Sequence, residues 1–236
     1  MFGFDSKELE RVSVSGKVFR LGDFIVGESR AKYPVIIELN SVVKTSLRSK
    51  GKYEVIATYR DSIHVEPGNE FRLRIPSDYP PSVVTRCFSV SWSLIVGVPR
   101  FKGKVLFPKK ELRIRVLPPL SDKGYKVKPG GEIVVRVNKH LVKPIALLYI
   151  REWLNDGVRE YSDTYEFTSS SKYMVSAGIT SISIKLPQET MTGTEEIYYP
   201  LTFKAKVGDL TYGITSWIII ESENYRGIMI PVIIYL

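Results

Sequence analysis

A dense run of basic residues is the part of this sequence whose residue types and spacing favour chemistry with an anion. Ten of the 29 residues from 100 to 128 are basic, and only Glu111 and Asp122 are acidic, so this basic segment carries +8 of the chain's net charge of +9. A local positive field of this kind attracts phosphorylated peptides, nucleic acid or acidic lipid. The candidate anion-binding or partner-binding residues are Arg100, Lys102, Lys104, Lys109, Lys110, Arg113 and Arg115.

The spacing of these cations predicts one charged face on two paired strands. A period of two places the basic residues at 100, 102 and 104 on one face of a strand, and those at 109, 113 and 115 on one face of the next. A hairpin through "LFPK" would join them into a patch that grips phosphate or carboxylate by charge-assisted hydrogen bonds. The alternative is a solvated outer face whose lysines discourage aggregation. Nucleic acid is disfavoured because Phe101 alternates with the cations and is expected to point into the core.

Signals for an enzyme are poor. The two histidines, His64 and His140, lie 76 residues apart in the sequence, and Cys87 is the single cysteine, expected in the core of an apolar strand. The sequence contains no P-loop, dinucleotide-binding glycine pattern, nucleophile elbow or zinc-ligand spacing. We therefore predict no catalytic residue, no metal and no cofactor. The runner-up is a carbohydrate-active or hydrolytic β-sandwich, for which Trp153, beside Glu152 and Asp156, is the one place that suggests a site.

Alternation of apolar and polar residues predicts strands along most of the chain. "FRLRI", "KELRIRVL", "GEIVVRVN", "SISIKL" and "LTFKAKV" all alternate with a period of two, as half-buried antiparallel strands do. "PIALLYIREWLND" also suits a helix, but strand is preferred because its neighbours are strands. The hydroxyl-rich stretches "EFTSSSKY" and "PQETMTGTEEIYYP" are interpreted as flexible loops, or alternatively as strands that pair with a partner's peptide. "IMIPVIIYL" is expected to be a buried last strand.

A proline- and glycine-rich stretch at the midpoint predicts two domains, residues 1–118 and 119–236. This stretch, "LPPLSDKGYKVKPGG", holds three prolines and three glycines and shows no alternation. Each half has the size of one β-sandwich. A faint repeat matches Gly16 with Gly131 and Pro76 with Pro187, which suggests a duplicated domain.

The stretch "EPGNEFRLRIPSDYPPS" carries a family resemblance. Its Pro-Gly pair forms a turn, Pro76 ends a short apolar strand, and Pro80-Pro81-Ser82 leads into a long strand with Trp92 at its middle. This order resembles the N-terminal domain of the arrestin family, and the basic segment follows where that family has the last strands of the domain. "KPGGEIVVRV" is similar to the opening of the family's second domain. The resemblance is specific from residue 67 to residue 117.

The resemblance implies an all-β chain of two tandem antiparallel sandwiches and a non-enzymatic adaptor or scaffold, akin to the retromer subunit of this fold or to prokaryotic arrestin-like proteins. The expected partner is a protein with an acidic or phosphorylated segment. Peripheral membrane association and homo-oligomers stay open, as does a structural subunit that assembles through edge strands. No secretory signal and no membrane-spanning apolar run is visible, so a cytoplasmic location is expected.

Overall fold

The computed structural model describes residues 6–45, 54–85, 87–100, 104–118, 125–155, 157–168, 170–186 and 202–235. Within these ranges the chain is nearly all β, with one 3-10 helix, Ser6–Arg11, before the first strand. The strands of the first half are β1 (Val12–Val14), β2 (Val18–Arg20), β3 (Phe24–Ser29), β4 (Val35–Thr45), β5 (Glu54–Val65), β6 (Glu70–Arg74), β7 (Val83–Val84), β8 (Phe88–Arg100) and β9 (Lys104–Leu117). The strands of the second half are β10 (Tyr125–Val127), β11 (Glu132–Val137), β12 (Ile145–Asn155), β13 (Glu160–Thr168), β14 (Ser170–Ser176), β15 (Ile179–Lys185), β16 (Phe203–Val207), β17 (Leu210–Ser222) and β18 (Tyr225–Ile234).

The contacts within the chain divide it into two compact units. Unit 1 comprises Met1–Val84 and Phe88–Pro119, and unit 2 comprises Thr85–Cys87 and Leu120–Leu236. The proline- and glycine-rich stretch at the midpoint contains strand β10, which pairs with β18 at Val127 and Ile234. This strand was not predicted, because three residues are too few to show an alternating pattern.

Unit 1 consists of a three-stranded and a six-stranded sheet. The smaller sheet has the order β1-β3-β6, and the larger has the order β2-β9-β8-β4-β5, with β7 also paired to β8. The pairs are antiparallel except for β2 and β9, which run parallel, so the sheet is mixed and not purely antiparallel as expected. Side chains alternate between buried and exposed along β6, where Phe71 and Leu73 are buried. This arrangement is consistent with a β-sandwich.

Unit 2 repeats this order with its own strands. Its six-stranded sheet runs β10-β18-β17-β12-β13 with β16 paired to β17, and β10 and β18 are again the parallel pair. Its smaller sheet has the order β11-β15-β14. The antiparallel pair of β11 and β15 corresponds to the pair of β3 and β6 in unit 1. The third strand is added beside β15 in unit 2 but beside β3 in unit 1.

The shared order can be compared with the sequence repeat. Pro76 follows β6, which corresponds to β15 of unit 2, whereas Pro187 lies outside the described residues. Gly16 and Gly131 do not correspond, because Gly16 precedes β2 whereas Gly131 precedes β11. The glycines that match are Gly22 and Gly130, each two residues before its strand, with φ of 90° and 72°. Both positions require the left-handed conformation that glycine adopts without strain.

Several local predictions meet their outcome here. "PIALLYIREWLND" forms strand β12, as predicted, and the last strand β18 buries Ile230, Val232 and Ile234. The loop interpretation of "EFTSSSKY" was wrong, because all its described residues belong to β13 and β14; Ser169 and "PQETMTGTEEIYYP" lie outside the described residues. Cys87 lies just before β8 and is half-buried, so its expected place in a strand core was wrong.

The Pro-Pro-Ser stretch is fastened to the two strands that follow it. The indole N–H of Trp92 on β8 donates a buried hydrogen bond of 2.9 Å to the carbonyl oxygen of Pro80. The amide of Ser82 donates to the carbonyl of Val116 on β9 at 2.7 Å, and the amide of Val116 donates back to the hydroxyl of Ser82 at 2.9 Å. The prolines therefore hold an extended segment whose polar groups are used by the neighbouring strands.

Candidate functional site

The basic segment forms a hairpin, but its turn is not where the spacing placed it. Arg100 ends β8 and pairs directly with Lys104 at the start of β9, while Lys102 lies outside the described residues. The prediction that the residues at 100, 102 and 104 share one strand was therefore wrong. "LFPK" lies inside β9, at an irregularity where residues 107 and 108 have no partner on β8. Pro108 suits that position because it has no N–H for the ladder.

The remaining cations follow one another along β9. Lys109 pairs with Gly97 in the register, and Arg113 pairs with Ser93. Arg113 is exposed and Arg115 is half-buried. Lys110 belongs to the opposite side of the strand, in alternation with Arg113, and is half-buried. Among the described side chains, Arg113 and Arg115 therefore form a strip on one side of β9, and Lys110 is not part of it.

The strip borders a row of serines that the pairing of distant strands brings beside it. Ser89, Ser91 and Ser93 occupy alternate positions of β8, and Ser93 lies between Arg113 of β9 and Asn40 of β4. Ser89 lies opposite Lys44, which is exposed. We call the outward side of these strands the serine–arginine face; its members are Asn40, Lys44, Ser89, Ser91, Ser93, Arg113 and Arg115. Ser93 is only 7% exposed, so Ser89 and Ser91 are its accessible hydroxyls. Hydroxyl, amide and guanidinium groups together offer many hydrogen-bond donors for an anion.

The acidic residues on this face leave it positive. Glu38 of β4 is 9% exposed and forms an ion pair of 3.0 Å with the Nε of Arg60 on β5. Glu111 is exposed and lies opposite Ile95. Among the described residues of this face, the basic residues Lys44, Arg113 and Arg115 therefore outnumber the acidic residue outside the Glu38–Arg60 ion pair, which is Glu111. The sequence showed the serines only as the polar half of an alternating strand, because pairing with β4 across 50 residues leaves no local signal.

The catalytic arrangement of carboxylates predicted beside Trp153 is not assembled as the sequence suggested. Trp153 is half-buried on the outer side of β12, whereas Glu152 is 1% exposed and points to the other side. The hydroxyl of Tyr165 lies 3.3 Å from a carboxylate oxygen of Glu152 and 3.2 Å from one of Asp163. Asp156 lies outside the described residues. Neighbouring positions of a strand face opposite ways, so Glu152 and Trp153 cannot share a site.

The other chemically reactive residues are scattered. His64 on β5 and His140 before β12 are exposed. Among the residues that the structure describes, no three His, Cys, Asp or Glu side chains are grouped so that they could hold a metal ion. In the same part of the chain no helix has the length and apolar character needed to cross a membrane.

No model of a known protein family matches the chain, and a search of curated proteins finds no relative.

Proposed function

We propose that this protein is a non-enzymatic adaptor with two tandem, arrestin-like β-sandwiches, and that it binds an acidic or phosphorylated segment of a partner protein. The observation that carries this proposal is the serine–arginine face of unit 1. Its donors come from three adjacent strands, spaced about 4.8 Å apart, so they can contact several oxygens of one extended acidic segment. The ion pair of Glu38 with Arg60 supports the proposal because it removes the most central negative charge from the face.

The edge of the same sheet offers the second element of recognition. β5 is twelve residues long and ends the six-stranded order, so its outer backbone groups can pair with an added strand. A partner that extends along β5 would lie beside Arg60. The charged face would attract the partner and the edge would set its register. We propose that this takes place in the cytoplasm, at a membrane surface where the partner is membrane-bound.

Binding of defined peptides tests the proposal. A doubly phosphorylated peptide, its unphosphorylated form and a polyglutamate peptide are titrated by fluorescence anisotropy at two salt concentrations. The test variant is Arg113→Glu with Arg115→Glu. The matched control is Arg72→Glu with Arg74→Glu, an arginine pair of the same spacing on the three-stranded sheet of unit 1, where both side chains are exposed.

We expect the test variant to lose at least about tenfold in affinity for the phosphorylated peptide, because hydrogen bonds to charged groups contribute about 1.5–3 kcal/mol each. The control variant should bind like the wild type, and salt should weaken wild-type binding. Equal losses in both variants would reduce the effect to net charge and refute a specific face. The wild type and the test variant are also sedimented with anionic vesicles. If both proteins bind the vesicles equally, the membrane contact does not involve the serine–arginine face.

A further inference from the structure

The six-stranded sheet of unit 2 carries three aromatic side chains on its outer side. Tyr149 and Trp153 lie four residues apart on β12, and Trp217 on β17 lies opposite Tyr149. All three are half-buried, so part of each ring is accessible. At about 3.4 Å per residue, Tyr149 and Trp153 are roughly 14 Å apart. We call this the aromatic face.

The Trp153 ring packs beside a glycine on the neighbouring strand. Gly213 of β17 lies opposite Trp153 in the register. A Cβ atom at Gly213 would lie 3.2 Å from Cζ2 of Trp153 and 2.3 Å from the carbonyl oxygen of Phe203. The backbone of Phe203 is therefore the nearest neighbour of the Gly213 Cβ position, and the indole of Trp153 lies just beyond it. The Nζ of Lys204 lies 5.8 Å from the centroid of the Trp153 ring, and the half-buried ring keeps part of its surface accessible to a ligand.

The other two rings are parallel, and a hydrogen bond holds one of them, Tyr149. The planes of Tyr149 and Trp217 differ by 8°, and their centroids are 6.0 Å apart. The hydroxyl of Tyr149 donates a hydrogen bond of 2.9 Å to Glu166 on β13. Little conformational freedom is then lost when a ligand contacts these rings, which favours affinity.

Polar groups lie between the aromatic rings. Arg151 is located between Tyr149 and Trp153 on β12, and its guanidinium contacts Glu160 and, at 3.3 Å, the hydroxyl of Ser162. Thr215, opposite Arg151 on β17, is exposed. The face thus alternates aromatic surface with donors and acceptors. Its charges balance, since three basic residues stand against three acidic ones: Arg151, Lys204 and Lys206 against Glu160, Glu166 and Glu221.

We infer that the aromatic face binds a neutral oligosaccharide. Sugar rings present apolar C–H surfaces that stack on flat aromatic rings, and their hydroxyls require both donors and acceptors nearby. An acidic peptide would gain little from a face whose charges cancel. A ligand spanning Tyr149 to Trp153 would contact both ends of the row and the Arg151 group between them. This binding role is separate from the adaptor function and does not depend on it.

Tryptophan fluorescence tests the inference directly. The chain has three tryptophans, and Trp92 is 2% exposed in unit 1, so a change on adding a sugar polymer reports Trp153 and Trp217. The probes are soluble β-glucan, xylan and galactomannan, used both in titrations and in native affinity gels. Test variants are Trp153→Ala and Arg151→Met. The control is Tyr173→Ala, an exposed tyrosine on the three-stranded sheet of unit 2, 49% accessible.

We expect at least one polymer to retard the wild type and shift its emission, and each test variant to bind at least tenfold more weakly, while Tyr173→Ala binds normally. Arg151→Met keeps the test decisive if Trp153→Ala does not fold. Failure of all three polymers to bind the wild type overturns the inference, as does wild-type binding by both test variants. A wild-type dimer that dissociates in Trp153→Ala would instead show that a second copy covers the face, and would also overturn it.

Discussion

Replacing Trp92 by phenylalanine tests whether the Pro-Pro-Ser stretch is fastened to the core of unit 1. Trp92 is buried, and its indole donates to the Pro80 carbonyl. Its ring lies 5.8 Å from that of Tyr59 and 5.5 Å, edge to face, from that of Tyr79. Phenylalanine keeps one ring but removes the donor and the remainder of the indole.

The expected cost has two parts. A buried carbonyl left without its donor costs about 1–3 kcal/mol. Weaker contacts with Tyr59 and Tyr79 add to this, since an aromatic pair contributes about 0.5–1.5 kcal/mol beyond its buried area. We therefore expect Trp92→Phe to lower the free energy of unfolding of unit 1 by about 2–4 kcal/mol. With a urea m-value of about 2 kcal/mol/M, near the middle of the usual range, the midpoint should fall by roughly 1–2 M.

Urea unfolding followed by far-UV circular dichroism measures this shift. Trp153→Phe is the matched control, because it makes the same replacement at a half-buried position of unit 2 and should cost less than about 1 kcal/mol. Because the chain has two units, the curves are fitted with two transitions. If both variants shifted the curve equally, the hydrogen bond from Trp92 to Pro80 would not contribute to the free energy of unfolding of unit 1.

Two further predictions concern single residues in each of the two units. Burial raises the pKa of Tyr59 and of Tyr79, with nearby carboxylates adding to the shift of Tyr59. The folded chain keeps these protons where the unfolded chain releases them, so stability should be intact below pH ~10 and fall as the pH rises further. In urea titrations at pH 8 to 11, the free energy of unfolding of Tyr79→Phe should fall less with pH than that of the wild type. At pH 7 the two free energies should be equal, because the buried hydroxyl has no hydrogen-bond partner among the described residues. Gly213→Ala should cost about 1–3 kcal/mol in thermal unfolding, because its Cβ would lie 2.3 Å from the Phe203 carbonyl, whereas Gly16→Ala, with open space around its Cβ, should cost nothing; equal effects would contradict the tight packing at Gly213.

The sequence predicts strands well because alternation is a local property. Phe71 and Leu73 are buried while Arg72 and Arg74 are exposed, as the pattern "FRLRI" indicates. The same rule failed where the strand is shorter than the pattern, as in β10, and where hydroxyl-rich residues form strands, as in β13 and β14. Serine and threonine occur both in loops and on the exposed faces of strands, so their abundance alone does not distinguish a loop from a strand.

The candidate sites were harder to predict because they depend on register. The chain reverses between Arg100 and Lys104, and a shift of a few residues in the turn decides which cations share a strand. Ser93 meets Asn40 only through the pairing of β8 with β4. Trp153 meets Gly213 in the same way, through β12 and β17. Each contact joins residues more than 50 positions apart, and the sequence around either residue carries no trace of its partner.

The two units show why function can be sought on their outer faces. Their six-stranded sheets share one strand order, and the inward positions of both are filled with apolar side chains such as Trp92 and Ile150. Packing restricts those inward positions, since a change of even one methylene is felt in a core. The outward positions carry no such restriction, and they differ: serines and arginines are prominent in unit 1, and aromatic rings in unit 2. A solvated sheet face has no need of half-buried tryptophans. This divergence on a common framework is what the two proposed ligands, one anionic and one uncharged, would require of the two outer faces.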